Sequence, residues 1–346
     1  MDKNKKIIII GLLIVVFMFF ITSLYFYGLT PVKRSSEKVI ITIEPGTSST
    51  KIISLLKENK LLKSTISPLI YLKIHRNLDV LAGTYELDRS DSARDIFIKL
   101  DKGEIYDDSI KITFNEGKRV IHYITQIKEA FGYSEEEIIN TINDKEYIKE
   151  LINEYWFLTD DILNDNIYYA LEGYLFPDTY HFDKESTIKS IIEDMLDNTE
   201  KKLEAYKTKI EGSNHSVHEI LTIASIIENE SMFDEDRSKV AQVIYKRLDV
   251  NMSLGMDVTT YYAVKKDLSE ELTRSDLDSY NAYNTRNTSF KGLPVGPICN
   301  MGTKSIEAAL SPSDTNYLYF YADIKTGKLY FAENNEEFQK LIETYR

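Results

Sequence analysis

The residues best placed to do chemistry are two acids that end an apolar run: Leu221-Thr222-Ile223-Ala224-Ser225-Ile226-Ile227-Glu228-Asn229-Glu230-Ser231. A carboxylate beside a buried helix turn is costly in its ionised form. A chain that keeps one there either pairs it or uses its raised pKa for acid catalysis. Ser216-Val217-His218-Glu219 has the form of a capping box and predicts a helix starting near Val217. Ile220, Leu221, Ile223, Ala224, Ile226 and Ile227 leave that helix almost no polar face, which marks a core helix. At 100° per residue Glu228 lies over Leu221 and Ala224, whereas Glu230 points to the opposite side, over Ile223 and Ile226. One of the two is expected to face any given cleft, and periodicity does not choose between them. The bland reading is a pair of acids at an exposed helix end.

Three further constellations accompany this helix. Glu172-Gly173-Tyr174-Leu175-Phe176-Pro177-Asp178-Thr179-Tyr180 contains Gly and Pro, which exclude a helix interior, and is dense in aromatics. Flat rings with nearby polar groups suit a sugar-binding surface, and a packed turn is the competing reading. Asp257, Thr259 and Tyr262 follow a helix expected over about Ser238 to Val250. Tyr283-Asn284-Thr285-Arg286 and the rigid loop Gly292-Leu293-Pro294-Val295-Gly296-Pro297 come next.

Composition narrows the chemistry. The chain has 346 residues and a formal net charge of -13, which argues against a nucleic-acid partner and suits a neutral or zwitterionic substrate. Its single cysteine, Cys299, excludes an internal disulfide and speaks against a thiolate metal site. The histidines, His75, His122, His181, His215 and His218, all precede residue 219, so the last third holds none. With no metal-ligand spacing, P-loop or G-x-G-x-x-G motif, neither metal nor cofactor is expected.

The elements that position these residues read as an α+β chain behind an N-terminal anchor. Lys3, Lys5 and Lys6 precede an apolar run from Ile7 to about Gly28, long enough to span a bilayer, with Tyr25 and Tyr27 at its far end. The lysines predict one pass with residues 1–6 in the cytoplasm and the bulk of the chain outside. A cleaved signal peptide is the rival, but the run is long for one and no A-x-A-like site follows. Residues 29–36 form a linker. Val39 to Ile43 reads as a strand, Lys51 to Asn59 and Ser67 to His75 as helices, Ala82 to Leu87 as a strand and Ser92 to Leu100 as a helix. Residues 37–105 thus fit a small β-α-α-β unit; the alternative is one larger α+β domain. The strand–turn–helix pattern recurs at Ile110 to Phe131. Residues 118–165 make a helix-rich, partly acidic stretch, and Tyr317 to Ala322 with Leu329 to Ala332 look like a closing strand pair.

Taken together and in order, these motifs resemble the endolytic murein transglycosylase (YceG-like) family over nearly the whole chain. The resemblance is carried by the N-terminal anchor, Ala82-Gly83-Thr84-Tyr85, Glu172 to Tyr180, Ala224 to Glu230, Tyr283 to Thr285 and Gly292 to Pro297. It implies a LysM-like domain over 37–105 and a YceG-like catalytic domain over 106–346. It also implies cleavage of the MurNAc–GlcNAc bond inside nascent peptidoglycan strands, to give 1,6-anhydro ends, close to the membrane and in reach of wall-synthesis or division proteins. By position it makes Glu228 the catalytic glutamate and leaves Glu230 a second acid of the motif without an assigned role. Glu172 and Tyr174 match its signature and are expected to line the cleft, with Asp257, Thr259, Tyr283 and Asn284 as further substrate-binding candidates. Two departures stand out. Leu254-Gly255-Met256-Asp257-Val258-Thr259 replaces a pattern that reads L-Q-S-D-P-T, and Leu329 takes the place of a histidine before Tyr330 and Phe331.

For the lytic reaction one carboxyl suffices: it protonates the leaving oxygen and then takes the proton of the muramyl C6 hydroxyl. A hydrolase uses two carboxylates, for which Glu172, Glu230 and Asp257 are partners to Glu228. A glycan-binding scaffold without turnover is the third class.

Overall fold

The computed structural model describes residues 3–76, 78–323 and 325–345. It divides into two units, one up to Asp108 and one from Ser109 onward.

The first unit opens with α1 (Lys3–Leu29), whose 27 residues make a rod about 40 Å long. From Ile7 to Leu29 its side chains are mostly apolar and most of them are exposed, only the end near Gly28 and Leu29 packing on the rest of the unit, so it is long and apolar enough to cross a membrane. Then come β1 (Lys38–Ile43), α2 (Ser49–Glu58), α3 (Ile66–Ile74), β2 (Gly83–Asp88) and α4 (Ala93–Lys102). The strands pair antiparallel, from Lys38 opposite Asp88 to Ile43 opposite Gly83. Alternation puts Ile41, Ile43, Tyr85 and Leu87 on the buried face, against Ile52, Ile53 and Leu56 of α2 and Ile96, Phe97 and Leu100 of α4. Ser92 and Asp95 close a capping box at the start of α4.

The second unit is mostly helical. It contains β3 (Ile110–Thr113), α5 (Val120–Phe131), α6 (Glu135–Ile142), α7 (Lys145–Glu154), β4 (Thr179–Phe182), α8 (Ile188–Leu203), α9 (Lys207–Glu211), α10 (Val217–Glu230), α11 (Asp234–Asp249), α12 (Asp257–Ala263), α13 (Arg274–Leu277), α14 (Thr303–Leu310), β5 (Tyr319–Ala322), β6 (Leu329–Ala332) and α15 (Asn335–Tyr345). β3 pairs antiparallel with β4, and β5 with β6. α10 is the central element: Val217 through Ile227 are all buried except Glu219. Its start is the capping box read from sequence, with Ser216 and Glu219 each accepting the other's backbone N–H. α11 begins four residues ahead of the expected Ser238, because Asp234, Glu235 and Asp236 supply the acidic first turn a helix N-terminus favours.

Candidate active site

The segment Glu172–Tyr180 is a packed turn, not an open sugar-binding surface. Tyr174 has no exposed surface and its hydroxyl is 2.7 Å from Nδ1 of His218. Glu172 is 1% exposed; its carboxylate accepts from the Val120 backbone N–H at 2.9 Å and from the Tyr262 hydroxyl at 2.9 Å. Burial raises its pKa to about 7 against those two hydrogen bonds. Gly173 explains the tightness of the turn. It has φ +83°, and a Cβ there would collide with Pro297. Asn300 ties the turn down by accepting from the N–H groups of Gly173 and Leu175 at 2.9 and 3.2 Å. Neither Glu172 nor Tyr174 therefore lines a cleft; the aromatics are dense because they are core.

Tyr283 and Asn284 are also fully buried. Tyr283 packs against the rings of Tyr262 and Tyr168, at 4.6 and 5.2 Å between centroids. Asn284 accepts from Thr260 at 2.7 Å and donates to the carbonyl of Ser279 at 2.8 Å. Thr259 bonds Thr285 Oγ1 at 2.8 Å, and that oxygen accepts the Met256 N–H at 3.0 Å. These side chains hold the turn 254–257 in shape, and Gly255, at φ +60°, lets it bend. The turn delivers Asp257 to the start of α12, and Val258, in the first turn of that helix, takes the position of the pattern's proline.

The end of α10 sends its two acids to different surroundings. Glu228 enters a cage of donors. Its Oε2 accepts from Ser305 Oγ at 2.8 Å, the Gly302 N–H at 3.1 Å and Arg237 Nη1 at 3.1 Å, while Oε1 faces Arg237 Nη2 at 3.3 Å. Gly302 caps α14 and Ser305 lies in its first turn, where backbone N–H groups and the helix dipole favour an anion. The side chains of Glu228 and Arg237 are only 8% and 11% exposed. Glu116, on the turn before α5, stands beside this cage. Burial and the charge of Glu228 raise its pKa, and a Cβ on Gly302 would collide with it.

Glu230 instead lies in the wall of an open cleft of about 700 Å³. Asp257, Arg286, Arg247 and Met256 line the same cleft, facing an aromatic wall of Tyr319, Phe320 and Tyr321 from β5 and Phe338 from α15. Burial and then the Asp257 charge raise the pKa of Glu230 to about 7, against Arg286, the Val258 N–H and Arg247. Asp257 is ion-paired with Arg286. Arg247 donates to the carbonyl of Leu318 at 2.7 Å and to that of Leu254, joining α11, the 254–257 turn and the approach to β5. The sequence reading named Glu230 and Asp257 but missed Arg247 and the aromatic wall as cleft residues. It also missed Arg237, Gly302, Ser305 and Glu116 around Glu228. Arg237 lies 9 residues from Glu228, but Gly302 and Ser305 lie 74 and 77 away, a separation that no short motif spans.

Comparison with known proteins places this geometry. The YceG-like family model matches residues 41–344, and the chain belongs to the YceG-like family. It is 37% identical over 329 residues to the endolytic murein transglycosylase of Bacillus subtilis strain 168, covering 93% of this chain and 89% of that protein. It is 30% identical over 334 residues to the protein of the same name from Streptococcus pneumoniae strain D39, covering 91% of this chain but 60% of that longer one. The crystal structure of a yceG-like protein from Listeria monocytogenes superposes with a TM-score of 0.64 at 34% identity, over 89% of this chain and all of that one.

Proposed function

We propose that this protein is a membrane-anchored endolytic lytic transglycosylase of peptidoglycan, with Glu230, not Glu228, as its acid and base. The names of its Bacillus and Streptococcus relatives support the reaction class. The observation that carries the residue assignment is the contrast at the end of α10. Glu228 has its oxygens committed to Arg237, Ser305 and Gly302, whereas Glu230 opens on a cleft with its pKa raised to about 7.

A carboxyl with that pKa is about half protonated near neutrality and can donate. Glu230 gives its proton to the GlcNAc O4 as the bond from MurNAc C1 to that oxygen breaks. The resulting carboxylate accepts the proton of the MurNAc C6 hydroxyl as O6 closes on C1. The carboxyl ends as it began and no water enters. Asp257, ion-paired with Arg286, adds to burial in raising the pKa of Glu230 and sets a negative charge near the oxocarbenium-like transition state. Tyr319, Phe320 and Tyr321 supply the rings on which sugar faces stack.

In this reading α1 crosses the membrane once with its lysines inside. The unit up to Asp108 is a LysM-like glycan holder, a role supported by its strand-helix-helix-strand order. Protease added to intact spheroplasts should then digest everything beyond about Leu29; a protected domain would refute that orientation.

The decisive experiment digests purified glycan strands in isotopically labelled water. Products ending in 1,6-anhydro-N-acetylmuramic acid, free of label, support the proposal. Labelled reducing ends would make the enzyme a hydrolase, with Asp257 as the carboxylate that activates water.

A further inference from the structure

We propose that a second cavity of the same unit, about 510 Å³ and lined by Asn166, Tyr168, Tyr280, Asn281, Asn287 and Phe290, binds a neutral N-acetylated sugar of the strand. The site lies away from the bond being cut. The proposal rests on the glycan reading above and adds a subsite to it.

The lining has the chemistry such a sugar needs: side-chain amides for acetamido and hydroxyl groups, and rings for the C–H faces. Its size falls within the range of small-ligand sites. Asp165 is its one charged lining residue and is already paired with Lys145 at 2.8 Å, so the cavity offers no free charge to attract an ion. The floor is fixed before any ligand arrives. The Tyr168 hydroxyl donates to the Ala263 carbonyl at 2.8 Å and accepts from Asn281 at 2.7 Å, while its ring packs on Tyr262 and Tyr283. Asn287 is anchored through the carbonyl of Asp278 at 3.1 Å.

Tyr280 is the exception to this rigidity. It is 90% exposed, and its hydroxyl has no hydrogen-bond partner among the described residues. Its exposed ring lines a polar cavity, a disposition that suits stacking on a sugar. The cavity is also physically continuous in chain with the acid cleft. Arg286 and Thr288 line the cleft, while Asn287 and Phe290 line this cavity, so one short segment forms a wall of both. The proposal has one polymer engage both sites, and an enzyme that cuts inside a strand gains from such distal grip.

The test uses the full chain carrying Glu230→Gln, titrated with chitohexaose by calorimetry. Adding Tyr280→Ala should weaken binding about fivefold to tenfold, and Tyr280→Phe should restore most of it. In the enzyme with Glu230 intact, Tyr280→Ala should raise KM for whole glycan strands by the same factor with kcat within twofold. Equal binding by the Tyr280→Ala chain, no binding by the parent at millimolar sugar, or a loss confined to kcat would overturn the proposal. Failure of the catalytic reading shows separately, as a Glu230→Gln enzyme that still cuts strands.

Discussion

Glu228 and Glu230 are two residues apart on one helix, yet one sits in a salt-bridged cage and the other in an open cleft. The cage residue meets the Arg237 guanidinium of α11 and two further donors at the start of α14, so it joins three helices. Burial and then a carboxylate neighbour raise the pKa of the cleft residue, and the cleft with its aromatic wall leaves room beside it. The lesson is that burial alone does not make an acid catalytic. What counts is whether the surrounding groups leave an oxygen to spend on substrate.

The comparison breaks most directly on paired substitutions. Glu230→Gln should lower kcat by roughly a hundredfold to ten-thousandfold with an unchanged melting temperature, since Gln keeps the shape but carries no transferable proton. Glu228→Gln should show the reverse pattern, a lower melting temperature and a much smaller loss in kcat. A fully stable, inactive Glu228→Gln enzyme would restore Glu228 as the acid.

Removing Arg237 probes the cage from its other side. Arg237→Ala leaves the Glu228 carboxylate buried without its cation and should cost about 3 kcal/mol in urea unfolding. A change under 0.5 kcal/mol would mean the cage is solvated and the contrast between the two acids is weaker than drawn.

Glu172 offers a buried acid with no cleft, and it separates stability from activity. Its folded pKa of about 7 lies above the ordinary carboxyl value of 4.5. The native state therefore holds a proton that the unfolded state releases, and stability falls as pH rises from about 4.5 to 7 and then levels off. For a shift of this size the loss approaches about 3 kcal/mol. Glu172→Gln should flatten that part of the stability profile, read by thermal melts across pH 5 to 8, leaving the slope due to Glu230. An unaltered slope would place the Glu172 proton elsewhere.

The smallest effect sharpens the cleft itself. In the proposed mechanism Glu230 acts first as an acid, so kcat/KM should fall as pH rises through about 7. Asp257 raises that pKa, so Asp257→Asn should move the alkaline limb downward by about one pH unit. A limb that stays in place would show that desolvation alone sets it.

Much of this arrangement was legible in the residues. The capping box at Ser216, the apolar faces of α10 and the opposite directions of Glu228 and Glu230 follow from helix geometry, which is local. The strand pairs of Val39 with Leu87 and of Phe320 with Phe331 likewise announce themselves by alternation and turn residues. The choice between the two acids was not legible. It depends on Arg237, Gly302 and Ser305, which lie 9, 74 and 77 residues from Glu228. The segment Glu172–Tyr180 left two readings open for a related reason. A packed turn and a sugar platform share a composition, and only the contacts of Asn300 and Thr199 tell them apart.

Cys299 gives this architecture a clock. Its sulfur is fully buried, 3.3 Å from the carbonyl of Ser225 on α10, and burial with the nearby Glu228 charge pushes the thiol pKa well up. A thiol in that state is inert to alkylating reagents until the segment carrying it lifts from the helix. Since the chain has one cysteine, every labelled molecule records one such opening event. The labelling rate in native buffer would measure how often the segment leading to Gly302 parts from α10, on a protein that needs no engineered probe.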